Sequence, residues 1–246
     1  MRLPPLLHAA DNMLLRRVFS PRIEVRPRRS IVSFTFDDIP SSAASLGARI
    51  LEDRGARGTF YIAGGLISRA DSGFANVPDL RRLSESGHEL GCHTFCHRGL
   101  RALSASDAAA DLEANERFFN DALGLERPSN FAYPFNKGTL SGLGSLRARY
   151  RSARGGRCGI NRGATPAYQL SAVEIAQPEA NQLDDWLDDA VENPGWLIYF
   201  THDVSENPGP YGSRPETLGR LVSGALERGH EVLTINAALD RLGVGS

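Results

Sequence analysis

Three short clusters in this sequence carry residue types that bind metal ions or move protons. The first is Thr35-Phe36-Asp37-Asp38, two carboxylates at the end of an apolar run. Adjacent side chains leave the backbone in different directions, so one carboxylate can bind a cation while its neighbour faces a substrate. The plainer alternative is a solvated turn or a helix cap, both of which suit Asp. The second is His93-Thr94-Phe95-Cys96-His97. Histidines four apart meet on one face of a helical turn and can chelate one ion. With Asp38 they make two imidazoles and one carboxylate, the usual ligand count of a catalytic zinc that keeps a position for water. Cobalt and nickel suit the same donors. The third is Thr201-His202-Asp203, following Trp196-Leu197-Ile198-Tyr199-Phe200. A histidine leaving an apolar strand is either a hydrogen-bonded structural residue or a proton donor for a leaving amine.

These clusters need a scaffold, and the pattern around them supplies one. Strand-type runs are expected at 31–36, 58–62, 88–92, 130–133, 195–201 and 231–235. Helical periodicity covers 42–54, 77–86, 107–123, 184–191 and 215–228, with Gly55, Gly87 and Gly124 at natural stops. Alternating strands and helices imply parallel strands with helical crossovers. At 246 residues a closed or nearly closed barrel suits the chain better than a small open sheet. Functional side chains in such barrels sit at the C-terminal strand ends, where Asp37, Asp38, His93, Pro134 and His202 all fall. Residues 1–29 are basic and proline-punctuated and read as an outer arm, leaving 30–246 as the catalytic domain.

Composition narrows the function classes. Basic and acidic residues nearly cancel, 28 against 29, which gives no electrostatic reason to expect a nucleic acid partner. No stretch approaches the ~20 apolar residues of a membrane span. The first residues, MRLPPLLHAADNMLLRR, lack the continuous apolar centre of a signal peptide, so a cytoplasmic location is expected. Cys92, Cys96 and Cys158 cannot all pair within one chain, which argues against a disulfide scaffold. Cys92 and Cys96 each precede one of the histidines, so a closed cysteine-containing metal site competes with the open one. Otherwise they read as small buried hydrophobes.

In this order the motifs resemble the polysaccharide deacetylase family, described also by its NodB-homology domain and as carbohydrate esterase family 4. Thr35-Phe36-Asp37-Asp38 resembles its first motif and His93-Thr94-x-x-His97 its second. Ala132-Tyr133-Pro134-Phe135 resembles the third, Trp186 with its preceding aspartates the fourth, and Phe200-Thr201-His202 the fifth. Gly58-Thr59-Phe60-Tyr61-Ile62 looks like the family's second strand. The resemblance spans about 31–236. It implies a distorted, incomplete (β/α) barrel of about seven parallel strands and hydrolysis of N-acetyl, less often O-acetyl, groups on glycans. It further implies one divalent ion on Asp38, His93 and His97, most simply zinc, with Asp37 as base and His202 as acid. Tyr133, Pro134, Phe135 and Trp186 are expected at the substrate, an N-acetylated glycan.

The sequence departs from the family pattern at three places. Ala132 stands where an Arg often pairs with the catalytic Asp, and Arg151 or Arg154 on a neighbouring strand is a candidate replacement. Ile39 stands where a Gly usually follows the paired aspartates. Gln182 stands where an Asp usually orients the catalytic His, with Asp184 and Asp185 nearer Trp186. Two other functions compete with the glycan deacetylase: a metal-dependent amidase acting on a small or lipid-linked N-acyl substrate, and a carbohydrate-binding relative without catalysis. Retention of two carboxylates and three histidines together argues against the last.

Overall fold

The computed structural model describes residues 18–67, 73–140, 142–176 and 182–245. Residues 1–17, on which the signal-peptide reading bears, lie outside them. Seven parallel strands curl into a partial barrel in the order β6-β5-β4-β3-β2-β9-β8. They are β2 (Ile31–Asp37), β3 (Thr59–Ile62), β4 (Glu89–Cys92), β5 (Asn130–Ala132), β6 (Ser152–Arg154), β8 (Val173–Glu174) and β9 (Trp196–Thr201). An eighth, β10 (Glu231–Val232), pairs with the first two residues of β2, whose later residues pair with β3. Between β6 and β8 the ring is bridged by irregular chain. There the Gly155 N–H donates to Leu170 (2.9 Å) and the Leu170 N–H to Ala153 (3.0 Å).

Side-chain alternation decides which residues reach the barrel interior. Along β2, Val32, Phe34 and Phe36 join the layer packed under the helices. Ile31 belongs to an inner cluster with Tyr61, Ala132, Ile198 and Phe200. Ser33, Thr35 and Asp37 share the parity of Ile31. Every residue of β2 is buried, as expected of a parallel strand covered on both faces. The same count turns Glu89, Gly91 and His93 inward on β4, and Ser152 and Arg154 inward on β6. It turns Phe200 and then His202 inward from β9. Gly91 is required here, because a Cβ would collide with the Tyr61 ring.

The helices follow the periodic segments closely, with identifiable caps. Val77–Glu85 opens on a capping box, in which Asn76 accepts from the Asp79 N–H (2.9 Å) and Asp79 accepts from the Asn76 N–H (3.0 Å). Ala105–Phe118 is capped by Ser104 and continues as a π-turn that stops at Gly124 (φ 70°). The expected strand over 231–235 is cut short at Val232. Thr234 caps a helix, Ile235–Arg241, by accepting from the Ala237 N–H, so the apolar Ile235 belongs to a helix face. No strand was expected within the basic segment 1–29, yet β1 (Arg22–Val25) pairs antiparallel with β7 (Gly163–Pro166), and its Val25 is buried in the inner cluster. Among the described residues no helix is long and apolar enough to cross a membrane.

Candidate metal and hydrolytic site

The loops after β2, β4 and β5 form one end of the barrel. Among the described residues every non-glycine with positive φ lies in them: Asp38, Ile39, Thr94, His97, Phe135 and Asn136. Such conformations cost of order 1–3 kcal/mol each and concentrate where side-chain placement matters more than stability. Ile39, like Thr94, is strained further, because a β-branched side chain at positive φ (54° and 65°) is disfavoured. Its complete burial holds it there.

Asp38, His93 and His97 converge, with one potential ligand atom from each lying within 4.8 Å of the others. Asp38 Oδ1 is 3.0 Å from His97 Nε2 and 3.6 Å from His93 Nε2. The histidines do not share a helical turn, as their spacing suggested. His93 continues β4, and the chain then reverses through positive φ at Thr94 and His97. Asp111, on the helix Ala105–Phe118, pins this reversal by accepting from the Phe95 N–H (2.8 Å) and the Cys96 N–H (3.2 Å). His93 Nδ1 meets the Ala132 carbonyl at 2.8 Å, which holds the hydrogen on Nδ1 and leaves Nε2 as the free donor atom. Burial lowers the pKa of His93 despite the attraction of Asp37 and Asp38, so the neutral, ligating form is favoured. Burial alone would raise Asp38. The His97 hydrogen bond and the charges of His93, His97 and His202 outweigh it, and its pKa is lowered. Apart from these imidazole contacts, Asp38 Oδ1 is buried without a hydrogen-bond partner. A divalent cation fits this donor set and would satisfy that oxygen.

The cysteines take no part. Cys92 is buried, with its sulfur 3.1 Å from Asn115 Nδ2, and its thiol is pushed up to about 11 by burial. Cys96 and Cys158 are exposed, and none of the three is in a disulfide. Cys96, so placed, is not the small buried hydrophobe that its bland reading gave.

Asp37 is buried beside this triad, and its partner is Arg154. The guanidinium donates through Nη2 to Asp37 Oδ2, and both side chains are almost fully buried. Arg154 lies over the rings of Phe200 (4.6 Å) and Tyr61 (5.4 Å) and reaches Asn136 Oδ1 at 3.3 Å. The register explains the choice. Ala132 on β5 pairs directly with Arg154 on β6, so both face inward at one level, and the small side chain leaves room for its neighbour's long one. Arg151 instead binds Asn236, the Val244 carbonyl and Asp240.

His202 sits opposite, with Nε2 3.9 Å from Asp38 Oδ2. Its Nδ1 meets the Tyr211 carbonyl at 3.2 Å. The acidic residues near Trp186 are elsewhere: Asp184 pairs with Arg220, and Gln182 and Asp185 are exposed.

A cavity of about 410 Å³ opens over these groups, lined by Asp37, Asp38, His93, His97 and His202, with Phe135, Asn136, Lys137, Glu174 and Tyr211 around them. Phe135 and Tyr211 are 59% and 60% exposed, and their rings stand 4.8 and 5.6 Å from those of His97 and His202. Of the four residues expected at the substrate, Phe135 lines this cavity. Tyr133 is buried and donates from its hydroxyl to the Tyr168 carbonyl (3.2 Å), and Pro134 is buried beside it. Trp186 packs on the core under the helix Leu183–Glu192, on the side shared with Leu183 and Ala190. Asn136, Lys137, Glu174 and Tyr211 escaped the sequence reading. The alternation of β8, with Val173 outward, was the available signal for Glu174.

The family model for polysaccharide deacetylases matches residues 24–143. A chitin deacetylase of Colletotrichum lindemuthianum is 30% identical over 219 residues, 85% of this chain and 79% of the relative. The chain belongs to the polysaccharide deacetylase family. Its fold is shared by the Xyl-CE4 domain of a multidomain xylanase from the hindgut metagenome of Trinervitermes trinervoides (TM-score 0.64, 18% identity, 89% of this chain and 93% of that one). It is shared also by a family 4 acetyl xylan esterase from Clostridium thermocellum in complex with a cobalt ion (TM-score 0.61, 18% identity, 88% and 93%). The deacetylases of this family are hydrolases, and this chain is a hydrolase of that kind.

Proposed function

We propose that the protein is a metal-dependent hydrolase that removes N-acetyl groups from amino sugars in a poly- or oligosaccharide. The observation that carries this reading is the juxtaposition of two differently dressed carboxylates. Asp38 faces two histidines, while Asp37, next in sequence, is held by a buried arginine. Asp38, His93 and His97 hold the ion, with zinc the first choice and cobalt or nickel able to replace it. The cobalt ion of the C. thermocellum esterase supports that range. Once bound, the ion supplies Lewis acidity to a water molecule and to the acyl carbonyl.

The residues do the rest. Asp37 has Oδ2 fixed by Arg154 and a buried Oδ1 without a partner, and removes a proton from the attacking water. The backbone N–H of Phe135 stabilises the oxyanion that forms as water adds to the carbonyl. His202 presents Nε2 to the cavity and gives a proton to the sugar nitrogen as the C–N bond breaks, so the amine departs neutral and acetate remains. Phe135 and Tyr211 offer apolar ring faces on which sugar rings stack. Three cysteines outside any disulfide are compatible with a reducing compartment, and the location proposed is the cytoplasm, with a soluble or precursor glycan as substrate. Cell fractionation tests that location, and recovery outside the cytoplasmic fraction overturns it.

The test of function is acetate release from N-acetylated glucosamine oligomers, acetyl xylan and a small N-acyl amine, each with and without chelator. Chelator-sensitive release from the amino-sugar oligomers is expected. Release from acetyl xylan alone would make it an O-deacetylase, and chelator-resistant release would remove the metal from the mechanism.

A further inference from the structure

The family motif leads one to expect a carboxylate orienting the ring of His202, but here its Nδ1 meets a main-chain carbonyl. The chain after β9 supplies it. It leaves at His202, runs through 203–210 and returns with Tyr211 directly above the histidine. The Tyr211 carbonyl lies 3.2 Å from the His202 backbone nitrogen and 3.2 Å from its Nδ1. Thr201 Oγ1 is 3.3 Å from the same oxygen. A carbonyl only accepts, so Nδ1 keeps its hydrogen whether or not the ring is charged, and proton exchange is confined to Nε2, the atom facing the cavity.

Asp203 holds that return in place. Its Oδ2 accepts from the Gly209 N–H at 3.1 Å and from Ser205 Oγ at 3.4 Å, and its carbonyl accepts from the Ser213 N–H at 2.9 Å. The chain passes so close that a Cβ on Gly212 would collide with Asp203 Oδ1. Only glycine allows the backbone to wrap this carboxylate.

We propose that Asp203 is the positioning residue for His202, folding the loop 203–213 so that the Tyr211 carbonyl fixes the imidazole. This rests on the reading of His202 as the acid that protonates the leaving amine. What the loop needs from Asp203 is an oxygen acceptor for the Gly209 N–H; the negative charge is dispensable. Asp203→Asn therefore preserves function and Asp203→Ala does not.

The test compares two leaving groups. Acetate release from an N-acetylglucosamine oligomer needs protonation of an amine. Hydrolysis of 4-nitrophenyl acetate expels a phenolate that needs none. For Asp203→Ala, kcat on the oligomer is expected to fall on the order of 10²-fold, with KM, metal content and ester turnover little changed. Asp203→Asn keeps most oligomer turnover. If Asp203→Ala does not fold, Gly212→Ala, which displaces the loop with the carboxylate still present, is expected to show the same split. Equal loss on both substrates, no loss on either, or an asparagine variant as impaired as the alanine one would each overturn the proposal. Failure of the underlying reading looks different: His202→Ala would then release acetate from the oligomer at the normal rate.

Discussion

Replacing Arg154 by Ala isolates the feature that separates this chain from its family pattern. Arg154 is wholly buried and Asp37 is 3% exposed, so deleting the guanidinium leaves a carboxylate in the barrel with no counter-charge. Removing one partner of a buried pair costs about 3–5 kcal/mol. Loss of the cation from the faces of Phe200 and Tyr61 adds roughly 0.5–2 kcal/mol. For a chain of this size about 4 kcal/mol lowers Tm by about 8–16 °C. The double variant Asp37→Asn, Arg154→Met removes both charges and is expected to recover roughly 2–3 kcal/mol of that loss as coupling energy. The register gives a sharper test. Ala132 pairs with Arg154 and faces the same way, about 4.8 Å away across one strand spacing. Ala132→Arg combined with Arg154→Ala should therefore regain part of both Tm and acetate release. Thermal melts and turnover of these three variants, beside the unmodified protein, are the assay. A single Arg154→Ala variant with unchanged Tm refutes the buried pair. A double swap no better than the single variant refutes the claim that neighbouring strands are interchangeable sources of this charge.

Other expectations follow from the same geometry. His93→Ala should lose most metal affinity together with activity, whereas Asp37→Asn should retain the ion and lose about 10²–10⁴-fold in turnover; chelator competition on both proteins separates the two. His88, His93 and His230 each have a pKa lowered below 6.5 by burial. His88 does so although Glu52 lies 3.0 Å from its Nε2, because its Nδ1 accepts from the Gly58 N–H and the neutral tautomer suffices. A depressed histidine contributes stability present above its unfolded pKa and lost as pH falls, so metal-free protein should weaken below pH 6.5 by up to about 1.4 kcal/mol per pH unit for each proton taken up. Denaturant melts between pH 7.5 and 5 would read this, and a flat profile would contradict it. At Ile39 the usual order should invert: Ile39→Gly is expected to be more stable than Ile39→Ala by about 1–2 kcal/mol, since φ is 54°. Equal melting temperatures would show that the loop relaxes.

Much of this was legible because it depends on local alternation and spacing. The apolar run before Asp37, the helix stops and the placement of His93 and His202 at strand ends all follow from side-chain period. Other features were set by contacts far apart in sequence. That Arg154 rather than Arg151 meets Asp37 depends on the register of β5 against β6, which neither strand encodes alone. The β1–β7 pair was missed because β1 is a four-residue strand inside a basic, proline-punctuated segment, too short for its alternation to stand out. The two histidines converge, but by another geometry than their spacing suggested, since the helix Ala105–Phe118 supplies Asp111 to hold a loop of another shape. Trp186 carries an aromatic suited to sugar, but its helix turns it to the core. The Tyr211 carbonyl is a backbone atom, invisible to any reading of residue types.

The central claim is that Asp38, His93 and His97 hold one catalytic ion beside Asp37. Crystals of the purified protein soaked in zinc, measured on both sides of the zinc absorption edge, test it most directly. The account predicts a single strong anomalous peak bonded to one oxygen of Asp38 and to Nε2 of both histidines, with neither Asp37 nor His202 as a ligand. A peak on Cys96 or Cys158, or none among Asp38, His93 and His97, would contradict it.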